Sequence, residues 1–143
     1  MSHPKSYILI LALALMAMHD SPVESRILLA QGVVSIVNYI PDTMLTIHCQ
    51  SSSSKDLGTK SIPMTGEFAW DVSLVVGEKQ GIYNCDLRAE GLHGRFSLFD
   101  AGRDWNRDRC GFLKNFVCAW RVRREGIYLF ELKRKDYVLE YSW

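Results

Sequence analysis

The chain has 143 residues, of which 48% are hydrophobic and 23% charged. That apolar content supports a core and excludes a wholly disordered chain, while the length suits one domain better than two. The net charge of +1 argues against a dedicated nucleic-acid binder, which would be strongly basic.

The first patterned segment is Tyr7 to Met18 (YILILALALMAM), an apolar run that follows Lys5 and ends at His19-Asp20. It is too short for a transmembrane helix, which needs roughly 20 residues to cross a ~30 Å hydrocarbon core. It fits the apolar region of a secretory signal peptide. A leader over residues 1–17 is therefore expected, cut after Ala17 or at a later point up to Ala30. The remainder, 18–143, is expected to be a single domain with no integral membrane segment. Acidic residues outnumber basic ones between His19 and Asp100, and the reverse holds from Ala101 to Trp143. Such polarity can orient a partner by electrostatic complementarity.

From Val33 onward, apolar residues alternate with polar ones at the period of a strand. Leu45, Ile47 and Cys49 share one face, followed by Phe68, Trp70, Val72, Leu74 and Val76. Tyr83, Cys85 and Leu87 form the next face, then Phe96 and Leu98 in a less regular strand. Phe116, Cys118, Trp120 and Val122 follow, then Tyr128, Phe130 and Leu132, and last Tyr137, Leu139 and Tyr141. Turn residues separate the runs at Pro41-Asp42, Ser51 to Ser54, Gly77, Gly81, Gly91, Gly94, Ala101-Gly102 and Glu125-Gly126. About eight short strands, each with one apolar face, predict an all-β fold: an antiparallel β-sandwich.

The cysteines, at 49, 85, 110 and 118, lack the C-x₂-C spacing of structural zinc sites. In a secreted chain of this size they read as two disulfides. Cys49 and Cys118 both fall mid-strand on apolar faces, as in an inter-sheet bridge, which would leave Cys85 with Cys110. The pairing of Cys49 with Cys85 and Cys110 with Cys118 stays open beside it.

Several strings in order resemble the plant self-incompatibility S-protein homologue family. They are Val34-Ser35-Ile36-Val37-Asn38, Leu45-Thr46-Ile47-His48-Cys49-Gln50-Ser51, Lys55-Asp56-Leu57-Gly58 and Gly66-Glu67-Phe68-Ala69-Trp70. Tyr83-Asn84-Cys85-Asp86-Leu87, Arg109-Cys110, Cys118-Ala119-Trp120 and Glu125-Gly126-Ile127-Tyr128 complete the set. The resemblance implies a small secreted β-sandwich with two disulfides and no catalysis. Its best-described members look like ligands sensed by a membrane receptor on pollen. The spacer Gly111 to Val117 looks longer and more apolar than the family pattern. No N-x-S/T glycosylation acceptor occurs.

The leading functional expectation is thus a monomeric extracellular ligand that meets a membrane receptor protein of a neighbouring cell through loops on a rigid scaffold. Two loops carry the candidate contacts. The first, Gln50 to Ser61, offers Lys55 and Asp56. The second, Asp100 to Lys114, offers Arg103, Asp104, Trp105, Arg107, Asp108 and Arg109, with Trp105 as an anchor if exposed. Arg121, Arg123 and Arg124, together with Lys133 to Lys135, form a further basic group. A secreted defence or inhibitor-like protein would use the same loops. A hydrolase would have to rely on His48 and His93 as acid and base, without a G-x-S-x-G elbow, P-loop or H-E-x-x-H helix. No catalytic residue, cofactor, metal or nucleic-acid partner is expected.

Overall fold

A computed structural model describes residues 27–77 and 81–143; the expected leader, 1–17, lies outside these residues. Nine strands are present: β1 Leu28–Asn38, β2 Leu45–Ser51, β3 Asp56–Ile62, β4 Glu67–Val75, β5 Ile82–Ala89, β6 Leu92–Asp100, β7 Asn115–Arg123, β8 Gly126–Glu131 and β9 Asp136–Tyr141. One short helix, α1 Ala101–Asp104, follows β6. The strands form a five-stranded sheet in the order β4-β1-β7-β8-β9 and a four-stranded sheet in the order β3-β2-β5-β6. Every pairing is antiparallel except that of β1 with β7, which run parallel at the centre of the larger sheet.

The alternation explains the layers. Leu45, Ile47 and Cys49 of β2, Trp70, Val72 and Leu74 of β4, and Tyr83, Cys85 and Leu87 of β5 are buried. Phe116, Cys118, Trp120 and Val122 of β7 join them, along with Val34 and Ile36 of β1. These are the inner faces of two packed sheets, so the fold is the expected all-β sandwich. Asn38, fully buried at the end of β1, pins the adjoining turns. Its amide donates to the carbonyls of Thr43 (2.7 Å) and Ile62 (2.9 Å), and its Oδ1 accepts from the Ile40 amide (2.9 Å).

At Gly32 of β1 the ring of Phe116, its register partner on β7, lies against the backbone, and a Cβ there would overlap that ring. Phe116 in turn stacks on Phe99 at 5.5 Å between centroids. Gly32→Ala is therefore expected to destabilise the protein by about 1–3 kcal/mol through overpacking. Thermal unfolding of the variant measures it.

Four features differ from the sequence expectation. First, the disulfides are Cys49–Cys85 and Cys110–Cys118 rather than Cys49–Cys118 and Cys85–Cys110. Cys49 and Cys85 are direct cross-strand partners in the smaller sheet, with Cα atoms 4.0 Å apart, whereas Cys118 sits in the opposite sheet. Second, residues 56–62 are an edge strand rather than loop; being exposed on both faces except at Leu57 and Ile62, they carry no apolar alternation to read.

Third, β8 buries Ile127 and Leu129 and turns Tyr128 and Phe130 outward, opposite to the expected phase. Tyr128 is covered by a cation instead of by the core, and the Phe130 ring meets that of Tyr137 edge-on at 5.3 Å between centroids. The Arg121 guanidinium lies 3.8 Å from the Tyr137 ring and 4.7 Å from that of Tyr39. Arg123 lies 5.4 Å from Tyr128 and 5.8 Å from Tyr39. This alternation of ring and guanidinium satisfies both partners at a half-wet surface. Fourth, the basic group is spread along β8 rather than clustered, with Arg123 and Arg124 at its Gly126 end, Lys133 to Lys135 past its Glu131 end, and Arg121 between them over Tyr137. β8 is about 20 Å long for its six residues.

Candidate functional site

The strand directions bring both candidate loops to one end of the sandwich. The Ser52 amide, in the β2–β3 turn, donates to the Ile82 carbonyl at the start of β5 (2.9 Å), and Ile82 is the register partner of Asp100 at the end of β6. From there the chain enters α1 and the connection to β7. That connection is tied to the β8–β9 turn by two backbone bonds, Leu132 N–H to Arg109 C=O and Lys133 N–H to Asp108 C=O, both 3.1 Å.

Within the connection, three of the candidate charges face inward. Asp104 is fully buried, and its carboxylate accepts from the Asp100 amide (2.9 Å), from Arg103 Nε (2.8 Å) and NH2 (2.7 Å), and from Arg109 Nε (2.8 Å). Arg103 also donates to the Tyr141 hydroxyl and the Ser97 carbonyl, and Arg109 to Glu140 (2.8 Å). Burial works against the charge of each arginine. For Arg103 the bonds and attraction of Asp104 more than offset it, so its pKa is raised. Glu140 and Asp104 do the same for Arg109. These three residues hold the connection onto β6 and β9.

Trp105 is half-buried and packs against the core, with its Nε1 directed to the Leu113 carbonyl at 3.4 Å. It caps the core rather than standing free as an anchor. Four candidates are exposed: Lys55, Asp56, Arg107 and Asp108. The Arg107 guanidinium covers the ring of Phe112 at 5.1 Å.

Asp56 opens β3. Its Oδ1 accepts from the Gly58 amide (2.7 Å) and meets His48 Nε2 (2.7 Å). The Gly58 bond first, and the His48 bond next, lower the Asp56 pKa below its ordinary value. A depressed carboxylate stabilises the fold above its unfolded pKa, near 3.8, and loses that contribution as the pH falls through the folded value. The Gly58 amide resonance is therefore expected to hold its position down to pH values below 3.8 and then shift as the bond is lost. An NMR titration checks this, and Asp56→Asn should abolish the step.

His48 and His93 are not neighbours on the smaller sheet. His48 is level with Asp86 on β5 and Arg95 on β6, whereas His93 is level with Arg88. Two strand spacings and a two-residue offset separate them by about 12 Å between backbones, and His48 Nε2 is engaged by Asp56 on β3, on the side of β2 away from His93. Among the described residues no group of three metal-ligating side chains occurs, and no helix is long and apolar enough to cross a membrane.

Sequence reasoning missed the apolar tip between the last two cysteines. Phe112 and Leu113 stand out from the Cys110–Cys118 loop beside Leu132 of the β8–β9 turn. Behind them an open groove of about 830 Å³ is lined by Val33, Phe116, Val117, Leu113 and Leu132 among others. The unusually apolar spacer was the one signal for it.

The family described as plant self-incompatibility protein S1 matches residues 33–143. The chain belongs to that family. No curated protein matches it. The span that makes it a self-incompatibility S1 protein runs from within β1 to the last residue, so it takes in both sheets, both disulfides and every candidate contact residue. Its Val34 to Asn38 string is the core half of β1 ending on the buried Asn38 pin. Its Arg109-Cys110 string joins the Asp104 ion cluster to the second disulfide. These family strings are thus largely the scaffold of the loop end.

Proposed function

We propose that this self-incompatibility S1 protein is exported and acts as an extracellular ligand in cell–cell recognition or signalling, bound by a membrane receptor protein of a neighbouring cell. The observation that carries the reading is the gathering of Lys55, Asp56, Arg107 and Asp108, all exposed, at one end of a scaffold pinned by two disulfides and a buried ion cluster. Rigid elements that present exposed charges suit recognition, because the contact surface is pre-organised and the charges steer encounter. Disulfides of this kind persist in oxidising compartments, which agrees with export of a chain whose leader is cut within residues 17–30.

The test has two parts. The product secreted by an expressing cell is expected to begin after Ala17, or at a later residue up to Ala30, with both disulfides formed; a cytosolic, reduced product carrying Met1 would overturn the reading. The purified oxidised protein is then expected to bind plasma-membrane fractions saturably. The pair Lys55→Glu and Arg107→Glu, folded and oxidised, should weaken that binding about tenfold or more, chiefly through association rate. Binding to polysaccharide or to proteases, with none to membranes, would favour a defence or inhibitor role instead.

A further inference from the structure

We propose that the end of the sandwich formed by the Cys110–Cys118 loop and the β8–β9 turn docks on an anionic lipid bilayer. Three apolar side chains project there with large exposure: Phe112 (43%), Leu113 (68%) and Leu132 (44%). They come from two segments distant in sequence. The Cys110–Cys118 bridge closes the first segment, and the backbone bonds of Leu132 to Arg109 and Lys133 to Asp108 clamp the second against it. The tips are therefore held out by the fold, so their ordering entropy is spent before any contact is made.

Around the tips stand Lys114, Lys133, Arg134 and Lys135, all exposed. The facing acids are Glu131, which Arg134 approaches at 3.9 Å, and Asp136, while the adjacent Arg107 and Asp108 offset each other. The local balance is cationic. Apolar side chains that enter the acyl boundary, ringed by basic residues that meet lipid phosphates, are the chemistry of interfacial membrane binding.

Two points favour a bilayer over a partner protein's pocket. Three of the four cations are lysines, which are depleted at protein interfaces but suit headgroup phosphates as flexible point charges. The tips also sit on two separate turns. A bilayer deforms around each tip, whereas a protein would need a matched cavity for each. The surface adds to the receptor reading and does not depend on it, since lipid alone is the ligand.

The test uses the oxidised secreted protein and receptor-free vesicles of phosphatidylcholine with about 30% phosphatidylserine, against pure phosphatidylcholine. The protein is expected to co-sediment with the anionic vesicles at low ionic strength and not with the neutral ones. Phe112→Ser with Leu113→Ser, and separately Lys133→Gln with Arg134→Gln and Lys135→Gln, should each weaken binding about tenfold or more, while Arg88→Gln, exposed at the opposite end of β5, leaves it unchanged. Phe112→Trp should show a blue-shifted emission on adding anionic vesicles. No binding, equal binding to neutral vesicles, or binding that survives both sets of substitutions overturns the proposal. Binding without the emission shift overturns the insertion of the apolar tip. Receptor binding to cells that persists when vesicle binding is absent would leave the ligand reading standing and remove this one.

Discussion

Asp104→Asn is expected to lower the unfolding free energy by about 3–5 kcal/mol, the range seen when one partner of a buried ion pair is removed. The substitution keeps the shape of the side chain, so no cavity forms and the loss reports charge and hydrogen bonding. Asp104 is fully buried and its two oxygens serve three donating groups, the Asp100 amide and the guanidinium groups of Arg103 and Arg109. An amide offers one acceptor oxygen and turns two donors toward groups that are themselves donors. Two partly desolvated guanidinium groups are then left facing a neutral group, with Glu140 the remaining carboxylate for Arg109 and none for Arg103. An arginine side chain keeps its proton throughout the neutral range whatever its neighbours, so neither guanidinium escapes by becoming neutral. A group whose folded pKa is raised contributes fully at every pH below its unfolded value, so the loss should be constant through the neutral range. Urea denaturation at neutral pH, read by tryptophan emission, measures the effect; a loss below about 1 kcal/mol would mean that water reaches the cluster and screens it. Arg107→Ala, on an exposed side chain of the same connection, should change stability by no more than about 0.5 kcal/mol.

The contrast between Asp104 and Arg107 marks where the sequence stopped being legible. Strands β2, β4, β5 and β7 are readable because one face is buried in each, and burial imposes a period of two on the residue types. β3 is not, because an edge strand with both faces wet has no such constraint and its residues, Asp56 to Ile62, look like loop. The phase of β8 misleads for a different reason. Tyr128 and Phe130 are apolar enough to suggest the core, yet Arg121 and Arg123 stack on outward rings beside them and make the outer face habitable for aromatics. In the β6–β7 connection, Asp104 is one acid among several charges, and nothing in the one-dimensional pattern tells a carboxylate that will be buried from one that will stay wet. The distinction arises only when Asp100 at the end of β6, Ser97 within it, and Tyr141 at the far end of the chain come together. The cysteines show the same limit. Parity shows that Cys49, Cys85 and Cys118 face inward, but not which sheet each strand joins, and sheet membership decides the pairing.

Removing the Cys49–Cys85 bridge as Cys49→Ala with Cys85→Ala is expected to cost about 3–4 kcal/mol, against about 2–3 kcal/mol for Cys110→Ala with Cys118→Ala. The order follows from the length of chain each bridge closes, a sequence separation of 36 against 8, because the longer loop loses more freedom in the unfolded state. Packing pushes in the same direction. Cys49 and Cys85 are both fully buried at the centre of the smaller sheet, so their truncation also removes contacts within the core, while Cys110 lies at the edge of the groove. The shorter bridge matters more locally: without it the segment carrying Phe112 and Leu113 is released, and amide exchange there should quicken more than in β2 or β5. Trypsin makes the pairing itself directly testable, because Lys55, Arg88 and Lys114 fall between successive cysteines and leave each in its own peptide. The non-reduced digest is expected to join the peptide of Cys49 to that of Cys85. A peptide of Cys49 joined to that of Cys118 would instead staple the two sheets together, and the ranking of the two double variants would then have no basis.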